Sequence, residues 1–237
     1  MDDQVNRLVA KAWGRYQSTP PNARLLIAIG GIPGSGKTTL SQLVVERLNA
    51  LAKSSSPNTP APAAFVPMDG YHLTRAQLSA LPDPTEAHRR RGAAFTFDGE
   101  AFVRLVAAAR EPLTPTSKTI RAPSFDHAIK DPKEDDIAIE PTHRILVFEG
   151  LYITLDKPPW NDAAALMDET WFVDVDFDVA RKRLIRRHVQ AGIAENEADA
   201  DKRARENDLV NGQEILDNRL RVDEVVVSRE DNTWVHE

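Results

Sequence analysis

The chain of 237 residues contains no cysteine, which removes disulfide frameworks, zinc–thiolate sites and cysteine nucleophiles from consideration and fits a reducing compartment. It has no excess of positive charge. Lys and Arg total 30 against 36 Asp and Glu, a formal net charge of −6, so a general nucleic-acid binder or membrane-surface protein is not expected. No apolar run approaches the ~18 residues of a membrane span. The acidic start Met1-Asp2-Asp3-Gln4 lacks the basic-then-apolar pattern of a signal peptide. A soluble, cytoplasmic protein is the expectation. There is no internal repeat, and the length suits one α/β domain spanning 1–237.

What is present alternates between two patterns. Val5, Leu8, Val9, Ala12 and Trp13 recur at helical spacing, predicting an amphipathic N-terminal helix within 1–20. Apolar positions on that helix leave a homodimer open. Arg24 to Ile29 is a short continuous apolar run, the pattern of a strand covered on both faces. Leu40, Leu43, Val44, Leu48 and Leu51 then mark one helical face. The Ser- and Pro-rich segment 53–63 reads as a mobile surface loop. Further strands are expected at Ala64–Met68, Arg144–Phe148, Thr170–Val175 and Val222–Val227, with a helix after Asp98 and a charged helical stretch from Asp178 to Arg219. Strands alternating with helices predict an open, mainly parallel sheet with helices on both faces.

Between the first strand and its helix lies Gly31-Ile32-Pro33-Gly34-Ser35-Gly36-Lys37-Thr38. Glycines here let the backbone turn tightly and bring its N–H groups onto phosphate oxygens, with the next helix's N-terminus adding favourable partial charge. Lys37 is placed to reach the β- and γ-phosphates of ATP, and the Thr38 hydroxyl to bind Mg²⁺. Gly31, Gly34, Ser35, Gly36, Lys37, Thr38 and Thr39 are the expected nucleotide-holding set. Asp69 ends the second strand, where open α/β sheets place their ligand crevice, and is a candidate general base for a hydroxyl attacking the γ-phosphate. Glu149 follows another buried run, a position suited to an acid near the metal. His88-Arg89-Arg90-Arg91 gathers cations suited to an anion, and Asp98 is placed to cap the next helix. Arg183, Arg186 and Arg187 share one helical face that suits a lid over the triphosphate. Asn207 and Asn211 share another face, with no chemical role apparent.

The glycine loop, Asp69-Gly70-Tyr71-His72, Arg90-Arg91-Gly92 and Phe97-Asp98 together resemble the P-loop kinases that include uridine kinase, phosphoribulokinase and bacterial-type pantothenate kinase. Within that group the chain is similar to a branch often labelled fructose-transport-system-kinase-like or uridine-kinase-like. The resemblance runs from about Arg24 to Ser228. It implies a three-layer P-loop fold with an arginine-bearing helical lid within 178–219, ATP with Mg²⁺, and a small-molecule acceptor. It further implies Asp69 as catalytic base and Arg187, then Arg183, as lid arginines. Tyr71, His72, Arg91, Asp98, Phe125, His127 and Glu149 would line the acceptor side. Pro123-Ser124-Phe125-Asp126-His127 resembles the uridine-kinase segment Pro-x-Tyr-Asp-x-x-x-His, but Phe125 replaces the tyrosine and His127 follows Asp126 directly. These departures argue against uridine itself. The expected activity is phosphoryl transfer to a metabolite hydroxyl; the other class compatible with the loop is a regulatory ATPase that couples hydrolysis to a conformational change.

Overall fold

The computed structural model describes residues 2–126 and 128–229. Its helices are α1 (Asp2–Ser18), α2 (Lys37–Ser55), α3 (Arg75–Ser79), α4 (Pro84–Arg89), α5 (Gly99–Arg110), α6 (Trp160–Ala164), α7 (Phe177–Gln190), α8 (Glu197–Arg203) and α9 (Leu209–Asp217). Its strands are β1 (Leu25–Gly31), β2 (Ala63–Pro67), β3 (Ile120–Asp126), β4 (Asp131–Ile139), β5 (Ile145–Gly150), β6 (Glu169–Asp174) and β7 (Glu224–Val227). Five strands form one parallel sheet in the order β2-β5-β1-β6-β7. Every residue of β1 and β5 is buried, which is why both read as unbroken apolar runs rather than alternating ones.

Successive side chains of a strand point to opposite faces, and β1 divides the core accordingly. Leu25, Ile27 and Ile29 pack with Val5 and Leu8 of α1 and Leu40, Val44 and Leu48 of α2. Leu26 and Ala28 belong to the other core, with Phe102 and Val106 of α5, Trp160 of α6 and Ile215 of α9. The result is three layers, helix–sheet–helix, matching the expected fold class. The apolar positions of α1 thus face the sheet. That helix is also tied down by charge, since Lys11 and Arg15 both meet the buried carboxylate of Glu169.

Three expectations needed adjustment. Helix α2 runs on to Ser55, into the segment expected to be loop, and there the hydroxyls of Ser54 and Ser55 bond back to the carbonyls of Ala50 and Leu51. Leu51, expected on the buried face, is exposed. The antiparallel pair β3–β4 was not foreseen at all. Its second strand carries Lys133-Glu134-Asp135-Asp136, and such a ladder is held by backbone pairing and a few apolar ends, chiefly Ala122 and Ile139. Among the described residues no helix is long and apolar enough to cross a membrane.

Leu8 is wholly buried beneath α1, whereas Leu51 is 39% exposed. Leu8→Ala should therefore lower the free energy of unfolding by about 3 kcal/mol, and Leu51→Ala by less than about 0.5 kcal/mol. Urea denaturation of the two variants checks both; similar losses would contradict the inward packing of α1.

Candidate active site

The loop between β1 and α2 turns through Gly34 and Gly36, whose φ values of 79° and 89° are left-handed and disfavoured for residues bearing a Cβ. A Cβ on Gly34 would also lie 2.7 Å from the carbonyl oxygen of Ala180 in α7. The loop is therefore pinched against α7 at a point only glycine fits. Arg183 of α7 reaches over its outer side, donating from Nη1 to the carbonyls of Gly34 and Ser35 at 3.2 and 3.4 Å and to Ser228 Oγ at 2.8 Å. In this conformation Arg183 braces the loop rather than standing free over it.

Lys37 opens α2 and is buried. Its Nζ lies 3.7 Å from Glu149 Oε1, while Thr38 Oγ1 donates to the same oxygen at 3.2 Å. Parallel register explains the meeting: Glu149 of β5 stands level with Ile29 of β1 on one side and Pro67 of β2 on the other. Asp69 lies two residues beyond Pro67, in a 3₁₀ turn of Met68–Tyr71. Burial pushes the Lys37 ammonium below its ordinary range, with Glu149 and Asp69 opposing. Burial pushes Glu149 up to about 7, with Lys37 opposing and the Asp69 charge adding. Arg187, exposed on α7, acts electrostatically on both Lys37 and Glu149. Lys37, Thr38, Asp69, Glu149 and Arg187 thus converge at the carboxyl ends of three neighbouring strands, with Thr39 half-buried in the first turn of α2.

These residues fit a bound nucleotide triphosphate and its metal. The two glycines shape a backbone cradle, the buried Ser35 Oγ has no hydrogen-bond partner among the described residues, and the Lys37 ammonium lies 3.7 Å from the Glu149 carboxylate. Thr38 and Glu149 offer hard oxygen donors, the kind Mg²⁺ accepts while taking its other ligands from phosphate and water.

The acceptor-side candidates divide. Tyr71 is buried edge-on against Phe102 at 5.4 Å, and burial raises its hydroxyl above the ordinary tyrosine range. His72 stacks between Phe97 and Phe125, at 4.0 and 4.9 Å, with Nδ1 against the Asp69 carbonyl at 2.8 Å. Asp98 caps α5, accepting from the Ala101 N–H at 2.8 Å. Arg91 is paired with Asp131 at 2.9 Å, also donates to the Leu73 carbonyl, and lies over the Phe125 ring. His127 is outside the described residues. Tyr71, His72, Asp98 and Pro123 share a cleft of about 430 Å³ with Arg104 and Glu134. Neither Lys37 nor Glu149 lines it.

For one pair the sequence marks the residues without their role. Asn207 and Asn211, buried on the helix after α8, accept from Arg90 Nε and Nη2 at 3.0 and 2.8 Å. Their i, i+4 spacing was the available signal; their partner lies more than a hundred residues away in sequence.

The Phosphoribulokinase / Uridine kinase family model matches residues 26–211. An Aspergillus versicolor protein named "ATP-dependent kinase-like protein notR'" is 58% identical over 67% of this chain and 92% of its own length. A Schizosaccharomyces pombe protein named "Putative uridine kinase C227.14" is 40% identical over 79% of this chain and 76% of its own. Among solved structures, a "putative fructose transport system kinase" from Silicibacter sp. TM1040 superposes with a TM-score of 0.77 at 32% identity, covering 92% of this chain and 98% of that one. With the phosphate loop, the parallel sheet and the strand-end carboxylates in place, the chain belongs to the phosphoribulokinase/uridine kinase family of P-loop ATP-dependent kinases.

Proposed function

We propose that the chain transfers the γ-phosphoryl group of ATP to a hydroxyl of a small metabolite. The observation that carries this reading is Asp69, whose charge acts on both Lys37 and Glu149 although it belongs to a different strand end from either. A carboxylate so placed suits a general base at the acceptor side of a phosphate site. Asp69 takes the proton of the acceptor hydroxyl as its oxygen bonds to the γ-phosphorus and the bond to ADP breaks. Lys37 and Arg187 supply fixed positive charge where negative charge is spread over the transferring group. Mg²⁺, held through Thr38 with Glu149 nearby, would offset further charge on the phosphates. Positioning and electrostatics do most of the work. The names of the similar proteins point to different acceptors, so the acceptor class stays broad: nucleoside, pantothenate-like or sugar-like.

In a screen of nucleosides, pantothenate, ribose derivatives and fructose, ATP consumption should rise only when the correct hydroxyl compound is added. Asp69→Asn should lower the acceptor-dependent kcat by about 10²–10⁴-fold with little change in KM for ATP. Full-rate ATP hydrolysis without any acceptor, unaltered by Asp69→Asn, would replace the kinase with an ATPase.

Glu149 generates a pH dependence. Its pKa is lifted from 4.5 to about 7 in the folded, nucleotide-free protein, so between these values the folded state binds more protons than the unfolded chain. Stability from this group is complete below 4.5 and lost as pH rises through about 7. Denaturant unfolding across that window should show a falling contribution in the wild type and a flatter profile in Glu149→Gln. Parallel profiles would assign the slope to another group.

A further inference from the structure

Three consecutive arginines in one turn meet three different fates. Arg89 forks onto Glu86 through Nε and Nη2, both at 2.6 Å. Arg91 is paired with Asp131 at 2.9 Å. Arg90 lies between them, half-buried, and the oxygens that hold it belong to two neutral amides, Asn207 and Asn211. Among the described residues no carboxylate lies within ion-pair distance of it. A carboxylate would hold a guanidinium more strongly than an amide does, so amides fix the geometry of Arg90 without a direct ion pair.

The surroundings put that charge beside the reaction site. Asn207 and Asn211 are only 3% and 1% exposed, and Asn207 Nδ2 also donates to the Arg91 carbonyl at 3.1 Å. Asn207 lies in a π-helical segment, Ala204–Asp208, an irregularity common at functional sites. The next residue after Asn211, Gly212, packs against the phosphate loop: a Cβ there would be 3.3 Å from Ile32 Cβ and 3.7 Å from Pro33 Cδ. On the other side, Tyr152, three residues beyond Glu149, donates its hydroxyl to the Gly92 carbonyl at 2.6 Å. The turn of Arg90 is therefore fastened both to the helix lying on the donor loop and to the strand end that carries Glu149. Arg187, and not Arg90, figures among the charges acting on Lys37, whereas Arg90 acts on Tyr152.

We propose that Arg90 binds an anionic group, carboxylate or phosphate, on the phosphoryl acceptor, and that Asn207 and Asn211 are positioning residues that aim it. The proposal rests on the kinase reading and narrows it to acceptors that carry both a hydroxyl and an anion.

The test fills the donor site with the non-hydrolysable analogue AMP-PNP and Mg²⁺, so that the phosphate loop is blocked, and titrates inorganic phosphate and acetate by calorimetry. Wild type should bind at least one of them saturably, and the better one identifies phosphate or carboxylate as the recognised group. Arg90→Gln should weaken that binding at least tenfold, with Arg90→Lys in between. Asn211→Asp is the discriminating variant, because it keeps the oxygen that Arg90 donates to and adds the neutralising charge. It should lose anion binding as fully as Arg90→Gln while its urea midpoint is not lowered; a purely structural Asn–Arg contact predicts unchanged binding. Absence of saturable binding to wild type, or wild-type binding in both Arg90→Gln and Asn211→Asp, overturns the proposal. The two readings fail separately: Arg90-dependent binding with no acceptor-stimulated ATP consumption sinks the kinase, whereas a phosphorylated neutral acceptor with no anion binding sinks only the anion site.

Discussion

A lysine and a glutamate buried side by side, yet stopping 3.7 Å apart, set the terms for everything around them. Each charged form is disfavoured by loss of water, and the shifts of Lys37 and Glu149 run in opposite directions for that one reason. Here the ammonium is left short of full compensation at the head of a helix, beside a loop shaped by left-handed glycines. The parallel register of β1 with β5 and of β5 with β2 makes this possible, because it aligns the ends of three strands at one edge of the sheet. The sheet's apolar interior supplies the low dielectric that gives those few charges their strength.

The same loop explains why the charged segment after β6 belongs to the site. Gly34 meets the backbone of α7, Arg183 bonds to the loop's carbonyls, and Gly212 of α9 lies against Ile32 and Pro33. Two helices of that segment therefore touch the phosphate loop directly, and α7 carries Arg187 toward Lys37 and Glu149. His188, buried next to Arg187, reaches Asp208 at 2.8 Å. That bond joins α7 to the segment that presents Asn207. A shift of α7 would be felt at both Arg187 and the asparagines on Arg90.

Much of this was legible in the chain, and the boundary of legibility is physical. β1, its loop and α2 could be read because continuous burial, tight turning and one-sided helix packing each leave a local pattern, and Asp69 and Glu149 could be singled out because one shortly follows a strand and the other lies at the end of one. The β3–β4 pair was invisible because its apolar residues gather at one end of the ladder, around Ala122 and Ile139, while the run Lys133–Asp136 is polar. Arg91 was chosen over Arg90 by resemblance of the Arg-Arg-Gly motif, and no local rule could separate them. Their partners, Asp131 for one and Asn207 with Asn211 for the other, come from two separate and distant parts of the chain. Asp98 was readable as a cap, and the structure places its carboxylate on the Ala101 N–H.

The charge balance gives those partners their weight. A chain of net charge −6 offers an anionic metabolite no general attraction, so recognition has to come from individual cations that the fold has left uncompensated. Most arginines near the site are not in that state: Arg89 and Arg91 have carboxylates, and Arg183 is spent on loop carbonyls and on Ser228. Neutral oxygens aim a guanidinium without cancelling its field, whereas carboxylates aim and cancel together. By that criterion the cation of the Arg89–Arg91 run best able to attract an anion is Arg90, whose direct partners carry no charge.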